Sequence, residues 1–195
     1  MPRIAITLFE DAEELDWAGP WEVLSFWAMH WPNDRIVVFT VADSAEPVRC
    51  AKGLRVLPDR TWRDAGPIDV LVYPGGIGTR RQLADGDLRA RLRAMADQGI
   101  LMTSVCTGAL VYAAAGLLDG RPATTYWAQL DYLGTLGTGI EVRPNDRFVD
   151  SGEVITAAGI SAGIDMALHL VRRLHSAERA REVRVGIQYD PQPPV

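Results

Sequence analysis

Ile100-Leu-Met-Thr-Ser-Val-Cys-Thr-Gly-Ala-Leu-Val-Tyr-Ala-Ala-Ala-Gly116 reads as a buried strand running straight into a helix, with a lone thiol at the joint. Residues 100–105 are mostly apolar or β-branched, as in a parallel strand covered on both faces, and residues 107–115 are rich in small helix formers. Only Cys106 and Thr107 separate the two. A side chain at such a turn sits at the carboxyl edge of the sheet, beside unpaired backbone N–H groups and the positive end of a helix dipole. Those features favour thiolate over thiol, so Cys106 is expected to be ionised and nucleophilic. Gly108, lacking a Cβ, lets neighbouring backbone come close. A buried structural cysteine is the alternative reading.

The flanking segments supply a sheet for this strand. Upstream, Arg3–Phe9, Arg35–Ala42 and Ile68–Tyr73 read as strands, with a small hairpin between Pro47 and Leu57. Pro20 is placed to open a first helix from about residue 19 to Met29, since proline suits the first turn. Thr79–Gln98 reads as one amphipathic helix. Downstream, Arg121–Thr125 is a short strand, Tyr126–Leu136 a helix, and Glu141–Val149 with Glu153–Thr156 the last strands. Ile160–Leu174 is a helix, and residues 176–187 continue helically before a Pro-rich end. Strands alternating with helices at this spacing predict an α/β, doubly wound, mostly parallel sheet forming a single domain over residues 1–195. In such sheets ligands bind at the carboxyl ends of the strands. That rule puts Asp16, Gly75-Gly76, Cys106 and the Ala157-Ala158-Gly159 turn on one rim.

Composition narrows the function. The chain has 195 residues, 48% hydrophobic content and a net charge of -5, without a dense Lys/Arg cluster, which argues against nucleic acid as the main partner. The arginines at 80, 81, 89, 91 and 93 share a predicted helix with Asp85, Asp87 and Asp97 and read as a solvated face. No apolar run reaches the length of a membrane span, and the N-terminus reads as a strand, not a signal peptide, so the expected location is cytoplasmic. There Cys50 and Cys106 stay reduced.

Gly75-Gly76 ends a hydrophobic strand, so its N–H groups, with that of Thr107, are candidates for an anion-stabilising pocket; a tight turn is the other reading. Asp16 is either a helix cap or a partly shielded carboxyl group that passes protons to and from a substrate over the sulfur. The Thr107 hydroxyl has a similar choice between the thiol, the substrate and the helix end. The three histidines, His30, His169 and His175, all fall away from the rim, which argues against a Cys-His dyad, and no Cys/His zinc pattern is present. Cys50 receives no role.

Taken together, Pro74-Gly75-Gly76, Ser104-Val-Cys-Thr-Gly108, Ala115-Gly-Leu-Leu118, Ala123-Thr-Thr-Tyr-Trp127 and Gly159-Ile-Ser-Ala-Gly-Ile-Asp165 resemble the ThiJ/PfpI superfamily over residues 3 to 190. Leu15-Asp16 followed by Gly19-Pro20, and Cys106 followed by Thr107, look like its isocyanide hydratase branch. The resemblance implies a flavodoxin-like, class I glutamine amidotransferase-like fold. It also implies hydration of an isocyanide to an N-formamide through a cysteine thioimidate. Cys106 would attack, Asp16 would supply a proton and later activate water, and Thr107 would position thiol or substrate. The substrate-facing set expected from it is Gly75, Gly76, Ile77 and Tyr126, with Trp127, Ala158, Gly159 and Ile160. No cofactor or metal is implied, and a homodimer is. Relatives of this branch often carry histidine where Tyr126 stands, which bears on substrate preference. Related modules are fused to helix-turn-helix regions, and none is expected here. A redox or ligand sensor using the same cysteine, and a glyoxalase or deglycase, are the competing readings.

Overall fold

The computed structural model describes residues 1–192; the last three residues of the Pro-rich end lie outside the described residues. The chain runs β1 (Arg3–Thr7), α1 (Glu14–His30), β2 (Val37–Ala42), the hairpin β3 (Val48–Arg49) and β4 (Arg55–Val56), β5 (Arg60–Thr61), β6 (Val70–Tyr73), α2 (Thr79–Gln82) and α3 (Gly86–Asp97). Then come β7 (Leu101–Val105), α4 (Gly108–Ala114), β8 (Pro122–Ala123), α5 (Leu130–Leu136), β9 (Glu141–Val142), β10 (Phe148–Asp150), β11 (Val154–Ala157), α6 (Ala162–Leu174) and α7 (Ala177–Gly186).

Seven strands form one sheet in the order β10-β11-β7-β6-β1-β2-β5, with all pairs parallel except β10–β11. Side chains alternate across it, as the period of a strand requires. Ile4, Ile6, Val70, Val72 and Val105 face one layer, built with α1, α6 and α7, whereas Ala5, Leu71, Tyr73 and Met102 face the other, built with α3 and α4. Both faces are thus covered, and the doubly wound, flavodoxin-like expectation is met.

Several boundaries differ from those expected. The first helix begins at Glu14, so Pro20 lies inside it and Asp16 lies in its first turn instead of capping it. Pro20 has no N–H to give, which leaves the Asp16 carbonyl without its helical partner. The predicted helix over 79–98 is two helices, because the Asp85 side chain accepts the Leu88 N–H at 3.0 Å and caps a fresh start. Tyr126–Leu136 begins with a 3₁₀ turn at Trp127–Gln129 before α5. β9 and β10 are separated around Pro144, and β9 pairs with β8 in a small parallel ribbon of its own. The two-residue strand β5 has no counterpart in the sequence reading.

Candidate active site

The thiol stands on a strained turn. Cys106 has φ +56°, in the left-handed region, between β7 and α4. Its N–H donates to the carbonyls of Ala157 and Ala158 at 3.1 and 3.0 Å, and its carbonyl accepts from the Thr125 hydroxyl at 2.7 Å. These bonds tie the turn to the β11–α6 loop and to the segment after β8. The turn also needs Gly108: a Cβ there would lie 2.5 Å from the Tyr73 carbonyl oxygen. The backbone N–H groups of Thr107 and Ile160 favour the ionised form of the sulfur. Ile160 itself has φ +53°, an outlier for a β-branched residue, so a second strained backbone position stands beside the Cys106 turn.

Asp16 reaches this turn from α1. It is fully buried, and its Oδ2 accepts the Gly75 N–H at 2.9 Å. Its Oδ1 has no hydrogen-bond partner, and the carboxyl and the Cys106 thiol interact, lowering the acidity of the thiol and supporting the carboxylate. Burial dominates both groups. It pushes the Asp16 carboxyl up to about 7, helped by the charge of Glu13 and opposed by the Gly75 N–H, the thiol and Lys52. Burial and the neighbouring Asp16 charge push the Cys106 thiol up to about 12, against the pull of the Thr107 and Ile160 N–H groups.

This overturns the expected ionised sulfur. The helix end and the backbone donors are present, yet Cys106 is only 5% exposed and faces a carboxylate, so the resting state is a thiol beside a carboxyl group poised near neutrality.

The expected anion pocket is also corrected. The Gly75 N–H is taken by Asp16, and the Gly76 N–H is taken by the Thr107 hydroxyl at 3.0 Å. The two glycines therefore position the carboxyl and clamp the turn; they do not present free donors. A Cβ at Gly75 would meet Thr107 N at 2.5 Å and Asp16 Oδ2 at 2.8 Å, which is why nothing larger fits. The Thr107 hydroxyl lies 3.2 Å from that of Thr79, which in turn donates to the Gly76 carbonyl at 2.7 Å. The Thr107 backbone thus favours an ionised sulfur, and its side chain ties down the loop.

The remaining expected residues form a border. Tyr126 packs its ring on Gly159, where a Cβ would come within 2.5 Å of Cδ2, and its ring lies 5.5 Å from that of Trp127. Trp127 is 73% and Ile77 61% exposed, while Ala158, Gly159 and Ile160 are half-buried. All three histidines sit elsewhere: His30 stacks on Phe26, His169 meets Asp150 at 2.7 Å, and His175 lies 3.4 Å from Asp34. Among the described residues no group of three or more His, Cys, Asp or Glu side chains is gathered as a metal site.

Sequence reasoning missed Lys52, Glu13, Thr79 and Thr125. Lys52 lies between β3 and β4 and forms ion pairs with Glu13 and Glu14 over the start of α1, so it acts on Asp16 from outside the site. No local pattern in the sequence marks it; only the hairpin fold brings it there.

Comparison with known proteins gives the family of the chain. The DJ-1/PfpI family profile matches residues 2–173. An isonitrile hydratase of Pseudomonas putida is 38% identical over 192 residues, covering 98% of this chain and 80% of the relative. A glutathione-independent glyoxalase of Caenorhabditis elegans, DJR-1.2, is 27% identical, with 89% of each chain covered. The crystal structure of a ThiJ/PfpI family protein from Pseudomonas syringae superposes with a TM-score of 0.83 at 31% identity, over 100% of this chain and 77% of that one.

Proposed function

Since the chain belongs to the DJ-1/PfpI family, we propose that it is an isocyanide hydratase, a cofactor-independent lyase that adds water to R–N≡C to give an N-substituted formamide. The observation that carries this reading is the buried Asp16 carboxyl, with a pKa near 7, held by Gly75 and turned to the Cys106 thiol. A base with that pKa is matched to proton transfer at neutral pH. The 38% identity to the isonitrile hydratase of Pseudomonas putida supports the substrate class.

The Asp16 carboxylate takes the thiol proton as Sγ of Cys106 bonds to the terminal carbon of the isocyanide. The proton then passes from Asp16 to that carbon, giving the thioimidate Cys–S–CH=N–R. Water adds next: Asp16 removes a proton from it as its oxygen bonds to the thioimidate carbon, and passes that proton to the nitrogen. As the tetrahedral adduct collapses, Asp16 takes the hydroxyl proton, the C=O bond forms, C–S breaks, and Asp16 hands that proton to the departing sulfur. The sum is R–N≡C plus water giving R–NH–CHO, with no redox change.

Charge in the first step develops on carbon, not on a carbonyl oxygen, so it needs no oxyanion donors. That suits a site whose Gly75 and Gly76 N–H groups are already engaged, and it favours an isocyanide over a 2-oxoaldehyde. The same reading includes a homodimer, supported by the exposed Trp127 and Ile77 bordering the site. It also includes a reducing, cytoplasmic location, supported by two unpaired cysteines. No helix among the described residues is long and apolar enough to cross a membrane.

The test is formamide production from a panel of alkyl and aryl isocyanides. Wild type should yield formamide and Cys106→Ala none. A wild type inactive on the whole panel, or lactate formed from methylglyoxal in its place, removes the proposal.

A further inference from the structure

Arg147, just before β10, grips the loop between β11 and α6 on both sides of its strained position. Its carbonyl accepts the Ala158 N–H at 2.9 Å, ahead of Ile160. Its guanidinium reaches the residues after Ile160: Nε and Nη2 donate to Oδ2 of Asp165 at 2.8 and 2.5 Å, and Nη2 donates to the Ser161 hydroxyl at 3.2 Å. The Tyr189 hydroxyl, from the segment after α7, donates to the other carboxyl oxygen of Asp165 at 3.0 Å.

The start of α6 has given up ordinary capping for this contact. A serine ahead of a helix commonly turns its oxygen to the free N–H groups of the first turn. Ser161 makes no such bond and meets Arg147 instead. Asp165, in the first turn, suits the positive end of the helix dipole. That accounts for an acid there, but not for two guanidinium N–H groups on one of its oxygens and a phenol on the other.

The turn that carries the thiol leans on the same loop. The Cys106 N–H donates to the carbonyls of Ala157 and Ala158, and the Ile160 backbone favours an ionised sulfur. A β-branched residue in the left-handed region persists only where its surroundings over-determine it, and Arg147 supplies bonds on either side of Ile160. The Arg147 side chain is half exposed, and an exposed ion pair contributes little to global stability. The clamp therefore has little to give the fold as a whole and a defined backbone to hold.

We infer that Arg147, anchored by Asp165, is a positioning residue for the reaction at Cys106: it fixes the backbone of residues 158–161 and, through it, the turn that bears the sulfur. For its kinetics the inference rests on the hydratase reading, whereas its effect on the loop is measured without any substrate.

The test is steady-state formamide formation together with amide hydrogen exchange, read by mass spectrometry on the intact protein, for Arg147→Met, Asp165→Asn, the double variant and Arg143→Met. Arg143 forms an exposed ion pair with Glu141 at 2.9 Å and controls for loss of surface charge. Arg147→Met and Asp165→Asn should each lower kcat by about tenfold, the scale of a small misplacement of reacting groups, with KM changed less. The double variant should lose no more than either single one, because the two side chains act as a unit. Exchange over residues 104–108 and 157–161 should quicken by about tenfold, while melting temperatures and the kinetics of Arg143→Met stay at wild-type values. Arg147→Lys keeps the charge without the planar fork, so it should show an intermediate loss, and it replaces Arg147→Met if that variant does not fold. Additive losses, a change confined to KM, or folded variants with wild-type kcat and exchange would overturn the inference. If wild type makes no formamide, the proposed reaction falls and exchange alone decides: faster exchange in Arg147→Met supports the clamp, and unchanged exchange overturns it.

Discussion

The amide of Gly75 donates to Oδ2 of Asp16 across 2.9 Å, and this bond, between residues 59 apart in sequence, leaves Oδ1 without a hydrogen-bond partner. It orients the carboxyl without neutralising it. A Gly75→Ala substitution puts a methyl group 2.5 Å from a backbone nitrogen, Thr107 N, which cannot swing aside. We expect it to cost at least about 2 kcal/mol of stability. Activity should fall further than the loss of folded protein explains. Urea unfolding alongside formamide assays checks both.

The buried carboxyl makes the fold less stable as pH rises. Asp16 has a pKa near 3.8 when unfolded and about 7 when folded, so between these values the native chain keeps a proton that the unfolded chain has lost. Its stabilising contribution is complete below about pH 4 and is lost as pH rises through about 7, a change on the order of 4 kcal/mol. Asp16→Asn keeps an acceptor for Gly75 and has no charge to bury. Its stability relative to wild type should therefore rise between pH 5 and pH 8 in paired urea titrations, by a few kcal/mol at most. A pH-independent difference would contradict the burial argument.

Lys52 favours the ionised form of Asp16 from outside the site. Lys52→Met removes that cation and leaves Glu13 unpaired, which raises the carboxyl further. Turnover should fall at pH 6 and be unchanged at pH 9, and added salt should shrink the difference. Equal loss at both pH values would indicate a packing role instead.

Gly159 is where the Tyr126 ring rests. Gly159→Ala must displace that ring, because the new methyl lies 2.5 Å from Cδ2. Tyr126 rests on the β11–α6 loop at Gly159, so KM should change by about threefold to tenfold with a smaller change in kcat. Tyr126→His should shift the preference among isocyanides in the same assay.

Much of the site is local in sequence, and that part was legible. The strand, the Cys106 turn and the helix after it follow one another without a gap, so β-branched residues, a thiol and small residues sufficed. The rim rule then placed Asp16, Gly75 and Ala158 near it. Ionisation was not legible, because the burial of Cys106 and Asp16 comes from α1, β6 and β11 together. Nor was the fate of the Gly75 and Gly76 N–H groups, which depends on two side chains from other elements. The break between α2 and α3 had a signal in Asp85-Gly86, masked by helical spacing that continues across it.

The central claim is that a carboxylate near neutrality, not a preformed thiolate, starts the reaction. The pH dependence of kcat/KM for formamide formation, in wild type and Asp16→Asn, tests it most directly. We predict an acid limb with an apparent pKa near 7, no fall up to pH 9, and activity lost in Asp16→Asn. A limb that climbs only above pH 8, tracking thiol ionisation, or an Asp16→Asn variant as active as wild type, would contradict it.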